Sequence, residues 1–539
     1  MTHNPYPAPG PHAHQNYGPG QGNVPPPPPG WSGPPAGPGW PGPPPGAPPG
    51  YPPGAPPGPP RRGRRVAVVV AVVVALVAVA GGIWFFTRGG GDDLPDTAAA
   101  QDWQAGVDKV GVAEAAWRVP QGEAPEAIRM VDHWVTEQHL VRRLPGRVAA
   151  YDLKSGDVAW EFPLEGTMED HCPSSQEHSE SRVALLRSTE DPDKAGYECG
   201  TLTVLDISTG KEVFTTDLPP VGRTEVNTPD VPVVFGERVV IPSEAGVRVL
   251  DLGTGEVRAM PNPENPCVST KVGLFGETLL AQAECEEGDT DSVRLRAFDA
   301  NLDMMWEWEV PPGEDGDALP VYGVLSLDPL VVEVGHSGRE HQLMRVHPES
   351  GETVPIEDYD GGAVRGGFMS ACNQYAIGTC ELARVVDNKV ILTTAPQQIN
   401  PNTPEASPGM QSTEFRNELV AFDLDTGEEA WRTGMVDGRA LSLVPTADDS
   451  VAAYQPMNPN GSKGIVFSVD PATGDLTPLV PIGQQAHEDD DLFQAVRAFS
   501  FGGDNHRAVL RDGLFIVFSA THRTATMGDV DIVAFALAD

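Results

Sequence analysis

From about residue 113 onward the chain repeats one short pattern of apolar and polar positions. An apolar run leads into a polar turn carrying Asp and Gly, and a second apolar run leads out. The clearest copies are AYDLKSGDVAW (150–160) and AFDLDTGEEAW (421–431), 271 residues apart. Weaker copies are VLDISTGKEVF (204–214), VLDLGTGEVRA (249–259), AFDANLDMMW (297–306, one residue short), VHPESGETVP (346–355) and SVDPATGDLTP (468–478). Each reads as a tight β-hairpin: the Asp carboxylate accepts from the turn amides, the Gly takes positive φ, and apolar residues flank both. The turn pairs are Asp152 and Gly156, Asp206 and Gly210, Asp251 and Gly255, Asp423 and Gly427, and Asp470 and Gly474, with Trp160 and Trp431 on the exit strands of the two clearest copies.

Two further β-rich runs precede most copies, such as 128–135 with 140–144 and 233–235 with 238–241, and successive copies lie about 45–55 residues apart. Four strands at that period predict the blade of an all-β propeller, and no long helical periodicity interrupts it. Hairpin positions fall near Ala150, Leu205, Leu250, Phe298, Val346, Phe422, Val469 and Val533, which predicts eight blades, or seven if the degenerate copy near Val346 is not a full blade. The last copy ends at Asp539 without an outer partner. Residues 114–119 look like the missing strand, with Trp117 in the place of Trp160 and Trp431. They are expected to complete the eighth blade and close the ring, which removes exposed sheet edges.

Composition adds what precedes the propeller. Residues 1–60 hold 25 Pro and 13 Gly and no acidic residue, a composition of solvated polyproline II that builds no core. This head reads as a disordered spacer, or as a ligand for an aromatic groove on a cytoplasmic partner. A basic stop at 61–65 precedes VAVVVAVVVALVAVAGGIWFF (66–86), 21 residues without a charge and long enough to span a bilayer core. Arg61, Arg62, Arg64 and Arg65 on its N-terminal side place the head in the cytoplasm, and residues 87–112 become an extracytoplasmic linker to a propeller over 113–539. The expected location is thus the cell membrane, single-pass, with the propeller outside. Beyond residue 88 the chain carries 31 basic against 76 acidic side chains, a poor match for nucleic acid.

All six cysteines follow the apolar segment, where oxidation is permitted. Six cysteines allow 15 connectivities; the three sequential pairs, Cys172 with Cys199, Cys267 with Cys285, and Cys372 with Cys380, each close a short loop and are the expected bridges, with free thiols or a crossed pairing as the alternatives. No Cys-x-x-Cys occurs.

The phrase Ala-x-Asp-x-x-Thr/Ser-Gly-x-x-x-Trp resembles the repeat of the PQQ-like propellers, the group of the quinoprotein alcohol dehydrogenases and BamB. The Pro-rich head and single span resemble its actinobacterial membrane-anchored members. The resemblance implies that Trp117, Trp160, Trp306 and Trp431 dock against neighbouring blades. It does not carry over a catalytic set, because quinone-binding members combine the repeat with adjacent cysteines, a calcium site and a catalytic Asp, and no two cysteines are adjacent here. Gly335-His-Ser-Gly338 lacks the spacing of a nucleophile elbow, and Asp191-Pro-Asp193-Lys-Ala-Gly196 begins like a calcium loop but meets Leu202 where a bidentate Glu is needed. The acidic stretches 313–317 and 487–491 read as solvated surface. No catalytic, cofactor or metal residue is assigned. The reading that follows is a non-catalytic, membrane-anchored extracytoplasmic scaffold. It binds a protein or envelope component through loops at one end of the ring, with the insertions 169–181, 189–198, 361–380 and 397–415 as presenting segments. The alternatives are an oxidoreductase or hydrolase with its site in the axial channel, and a sensor input domain.

Overall fold

The chain divides into two units, Met1–Gly91 and Asp92–Asp539. The computed structural model describes residues of the second unit from Ala113 to Leu537, excluding 121–131, 165–171, 188–198, 219–230, 261–266, 361–367, 399–414, 435–439, 483–505, 520–529 and several shorter stretches. The head, the apolar segment 66–86 and the linker lie outside the described residues. Among the described residues no helix is long and apolar enough to cross a membrane.

The described residues form eight antiparallel sheets arranged as the blades of a propeller. Blade 1 comprises His133–Val135, His139–Leu144, Arg147–Asp152 and Val158–Pro163; blade 2 has Arg182–Arg187, Thr201–Asp206 and Lys211–Asp217. Blade 3 comprises Val233–Phe235, Arg238–Ile241, Arg248–Asp251 and Val257–Ala259, and blade 4 comprises Cys267–Phe275, Thr278–Glu287, Thr290–Phe298 and Met304–Glu309. Blade 5 runs Val321–Leu327, Leu330–Gly335, His341–His347 and Glu352–Pro355, so the degenerate copy near Val346 is a full blade. Blade 6 has Ala383–Val386, Lys389–Thr393, Leu419–Asp423 and Glu429–Arg432, with a two-stranded ribbon, Gln397–Gln398 and Phe415–Arg416, rising from it. Blade 7 comprises Ser442–Val444, Val451–Gln455, Gly464–Val469 and Leu476–Ile482. Blade 8 joins His506–Arg511, Leu514–Ser519 and Val530–Ala536 to Ala115–Pro120 from the start of the domain.

That last pairing is the expected closure: Trp117 stands opposite Ala534 and Val119 opposite Ile532. In blade 2 the innermost position is taken by residues 173–175, whose backbone bonds Leu186 and Ala184 and bridges Ser174 to Leu185. The insertion expected at 169–181 is therefore split. Part of it is a rudimentary strand, and residues 176–181 turn at the opposite end of the blade.

The structure shows that the middle strands bury both faces, as Val148–Tyr151 do, and only the rim strands alternate, as Val158–Pro163 does. Each blade is packed by a neighbour on either side, so its middle strands have no solvent face. Among the described residues the core is accordingly split into one apolar cluster per seam, with a ninth, small cluster of Cys267, Ala283 and Cys285 within blade 4. Leu280, Trp308, Val332 and Met344 fill the seam between blades 4 and 5. Trp117, Tyr151, Ile516 and Phe518 fill the closing seam between blades 8 and 1.

Adjacent side chains on a strand point to opposite faces, and in blade 1 this sends two neighbouring arginines to two different blades. The fully buried Arg142 reaches blade 8, where it pairs with Asp531 and donates to the Ser519 carbonyl. Arg143 reaches blade 2, donating to the Cys172 carbonyl at 2.7 Å, Ser174 Oγ at 2.6 Å and the Leu186 carbonyl at 3.2 Å.

Candidate functional site

The hairpin phrases build the outer scaffold as their chemistry requires. Asp152 Oδ1 accepts from the amides of Lys154 and Ser155 at 2.9 Å each, Asp206, Asp251 and Asp423 repeat the arrangement, and Asp470 accepts from the Ala472 amide at 2.7 Å. The Ser155 amide is the main cause that holds Asp152 below the usual carboxylate range, and the Thr254 amide does the same for Asp251. Burial pushes Asp206 up, but bonds from Ser208 and Thr209 outweigh it and leave it lowered. Gly156, Gly210, Gly255, Gly427 and Gly474 all sit at φ between 70° and 79°. Asp299 lacks such a glycine, and Leu302 takes φ 67° in its turn.

The tryptophans dock one blade onward. Trp117 Nε1 donates to the Leu153 carbonyl at 2.9 Å, and a Cβ on Gly156 would stand 2.5 Å from the Trp117 ring. Trp431 repeats this in full, donating to the Pro471 carbonyl at 2.9 Å and covering Gly474. Trp160 covers Gly210 in the same way. Trp306 packs at the seam between blades 4 and 5, but Gly351 has nothing within 4 Å, so this copy departs from the docking geometry. Trp117, Trp160 and Trp431 thus pack blade against blade.

The two ends of the ring differ. Turns between first and second strands, and between third and fourth, lie at one end, and none of them exceeds six residues. At the other end depart every longer connection, including those that hold 189–198, 361–380 and 397–415. All three expected disulfides are formed, Cys172–Cys199, Cys267–Cys285 and Cys372–Cys380, and they fasten connections or strand ends at this insertion-bearing end.

The connection after blade 5 is fastened further. Glu333, with no exposure, accepts from Tyr359 Oη at 2.7 Å and the Cys372 amide at 2.9 Å, and its Oε1 lies 2.9 Å from His341 Nδ1. The same connection then reaches past blade 5. The Ile377 carbonyl lies against Gly273 on the innermost strand of blade 4, so closely that a Cβ there would be 1.9 Å from its oxygen. Ile377 is 2% exposed, and the space left beside it, bounded by Ser175, Val233, Val272 and Leu274, holds about 10 Å³. Ile377, held near the Cys372–Cys380 bridge, thus plugs the space beside blades 2, 3 and 4 at this end.

At the turn end a cleft of about 760 Å³ is walled by blades 8, 1, 2, 3 and 4, with His139, His178, Ser208, Glu277 and Arg511 among its residues. The turns at this end carry a feature that sequence reading missed, and Glu137, Glu180 and Glu277 of it line the cleft. Every turn between first and second strands carries an exposed acidic residue: Glu137, Glu180, Glu237, Glu277, Asp328, Asp387, Asp449 and Asp512, one from each blade. The signal was present as an acidic residue about 15–30 positions upstream of most hairpin phrases. It was diluted by an acidic background of 76 such residues. Among the described residues no group of three or more His, Cys, Asp or Glu could hold a metal ion. The stretches 191–196 and 487–491 lie outside the described residues.

Residues 109–278 match the family model described as outer membrane protein assembly factor BamB, so the resemblance read from the repeat phrases is shown over that stretch. No curated protein matches the chain. Among solved structures, BamB from Moraxella catarrhalis is 14% identical, covering 79% of this chain and 100% of its own, with a TM-score of 0.41. The quinohemoprotein alcohol dehydrogenase from Comamonas testosteroni is 13% identical, covering 81% of this chain and 78% of its own, with a TM-score of 0.42.

Proposed function

We propose that this BamB-like propeller is a non-catalytic scaffold, anchored in the membrane through residues 66–86 with the propeller outside the cytoplasm, that holds an envelope protein at its insertion-bearing end. The observation that carries the reading is the sorting of the ring into two unlike ends. Short turns occupy one end, and every long connection and all three disulfides occupy the other. Disulfides that fasten the roots of long connections reduce the ordering cost of a partner-binding surface. The match of residues 109–278 to a family described as an assembly factor supports a protein partner. The uncharged run at 66–86, with four arginines before it, supports the anchor and its orientation.

Photo-crosslinking in cells tests this on the full chain. A crosslinking amino acid at Asp193 or Ser407 should capture one reproducible envelope protein, which should in turn capture this chain in the reciprocal experiment. The same group at Lys154 or Lys211, in the short turns, should not. Equal capture from both ends, or only self-crosslinks, refutes the scaffold reading.

A further inference from the structure

The connection that leaves blade 5 is split between two seams. Tyr359, Phe368, Ala371 and Cys372 pack between blades 5 and 6, whereas Ile377 packs between blades 4 and 5. The innermost strand of blade 5, Val321–Leu327, stands between these seams, and the Cys372–Cys380 bridge rests on it at Gly323. A Cβ on Gly323 would lie 2.4 Å from Cys372 Cβ and 2.5 Å from its Sγ. Ile377 belongs to the turn that the bridge closes, and its carbonyl touches Gly273 of blade 4. Two glycines on neighbouring inner strands thus make room for one bridged turn.

Of the three bridges only this one joins two points of a single connection. Cys267–Cys285 ties two strands of blade 4, and its halves are 2% and 1% exposed. Cys172–Cys199 ties the rudimentary strand of blade 2 to the residues entering Thr201–Asp206. Opening either of those loosens a blade, whereas Cys372 and Cys380 lie in no strand. With their bridge open, the roots of the turn stay held. The Cys372 amide still donates to Glu333 Oε2 at 2.9 Å, and Cys380 lies just before Ala383–Val386 of blade 6. The turn itself has then only the burial of one isoleucine to set against the conformational entropy of ordering its whole length, and entropy wins. Access has a direction as well, because Cys372 is 8% exposed while Cys380 is partly exposed.

We infer that the Cys372–Cys380 bridge is a redox latch on the insertion-bearing end, opened by a protein dithiol and closed again by a disulfide oxidant. A thiolate of the dithiol attacks Cys380 Sγ, the bond to Cys372 breaks, and Cys372 leaves as a thiolate while a mixed disulfide forms. The second thiol of the reductant attacks the reductant's own sulfur in that mixed disulfide and releases Cys380. Two electrons pass to the bridge, the reductant becomes a disulfide, and its two protons end on Cys372 and Cys380. Ile377 then withdraws from Gly273 and from the space beside Ser175, Val233, Val272 and Leu274, while all eight blades stay folded. The latch goes beyond the scaffold reading, giving redox control of a connection proposed to hold a partner. It is tested without any partner, so the two fail separately.

The test equilibrates the full chain with graded ratios of reduced to oxidised dithiothreitol, then alkylates the thiols and locates them by mass spectrometry. Cys372 and Cys380 should open at a ratio about tenfold lower than the other four cysteines. At that ratio hydrogen exchange over 372–380 should rise about tenfold, with exchange in Leu330–Gly335 and His341–His347 unchanged. Linkage supplies a reciprocal readout, because whatever displaces Ile377 must favour the open bridge. Gly273→Ala, whose Cβ would meet the Ile377 carbonyl at 1.9 Å, should let the bridge open at a ratio about fivefold lower. Gly276→Ala, just beyond the end of the same strand and meeting nothing within 4 Å, should leave the ratio unchanged. If Gly273→Ala does not fold, Ile377→Ala takes its place with the same expectation. Simultaneous opening of all three bridges, opening of Cys372–Cys380 without faster exchange, lost protection in the blade strands, or an unmoved ratio in the variant overturns the inference.

Discussion

At Gly156 one missing methyl group satisfies two demands, a left-handed backbone at φ 73° and room for the Trp117 ring. Gly276 shares the first demand, at φ 55°, but has nothing within 4 Å of where a Cβ would stand. Gly276→Ala should therefore cost about 1 kcal/mol, the left-handed penalty alone. Gly156→Ala should cost about 2–4 kcal/mol, because overpacking adds to that penalty. Equal losses in denaturant melts would remove the docking argument. His133 supplies a pH dependence. Burial, aided by Arg507 and Arg142, pushes its pKa down to about 3, and its ring meets Phe518 edge-on at 4.7 Å. Because the folded value lies below the unfolded one, unfolded chains take up a proton that folded ones refuse as pH falls below about 6.5. Stability should fall steadily from pH 6.5 toward 4, and His133→Phe should flatten that slope. The lowered turn aspartates add their own loss only at lower pH, near the unfolded carboxylate value of about 3.9.

Elements here are held by their neighbours more than by themselves. A single blade buries little, since its two faces become a core only when flanked. The strand His139–Leu144 shows how specificity is added to that packing, because Arg142 and Arg143 stitch it to blade 8 on one side and blade 2 on the other. Arg142→Met strands a buried Asp531 and should cost about 3–5 kcal/mol. Arg142→Met combined with Asp531→Asn should recover most of that loss in a double-mutant cycle. An additive double mutant would show that the two side chains do not act as a pair. None of this was legible in the sequence. Two adjacent arginines in an apolar run give no sign of which blade each will meet, because the contacts span 29 to 389 positions.

The described residues of the second unit form one ring closed by the start of their own domain. Deleting residues 113–120 removes the partner of Val530–Ala536 and exposes both that edge and the Trp117 side of the closing seam. The melting temperature should fall by about 10 °C or more, and the open edge should drive self-association visible on size exclusion. An unchanged melt would mean that the ring does not depend on this strand. The turn residues, the closing strand, a count of eight or seven blades and three sequential cysteine pairs as the expected bridges were legible in the sequence, because each is local or repeats at a fixed period; the structure decided for eight blades and for those three bridges. What faces the axis was decided only by tertiary structure. The acidic ring takes one residue from each of eight blades, the cleft takes its wall from five, and the plug at Ile377 crosses from the connection after blade 5 to Gly273 of blade 4. A repeating pattern encodes how each blade folds and meets the next. It carries no record of which side chains the closed circle brings together at its centre, because that proximity arises only once the two ends of the domain have met.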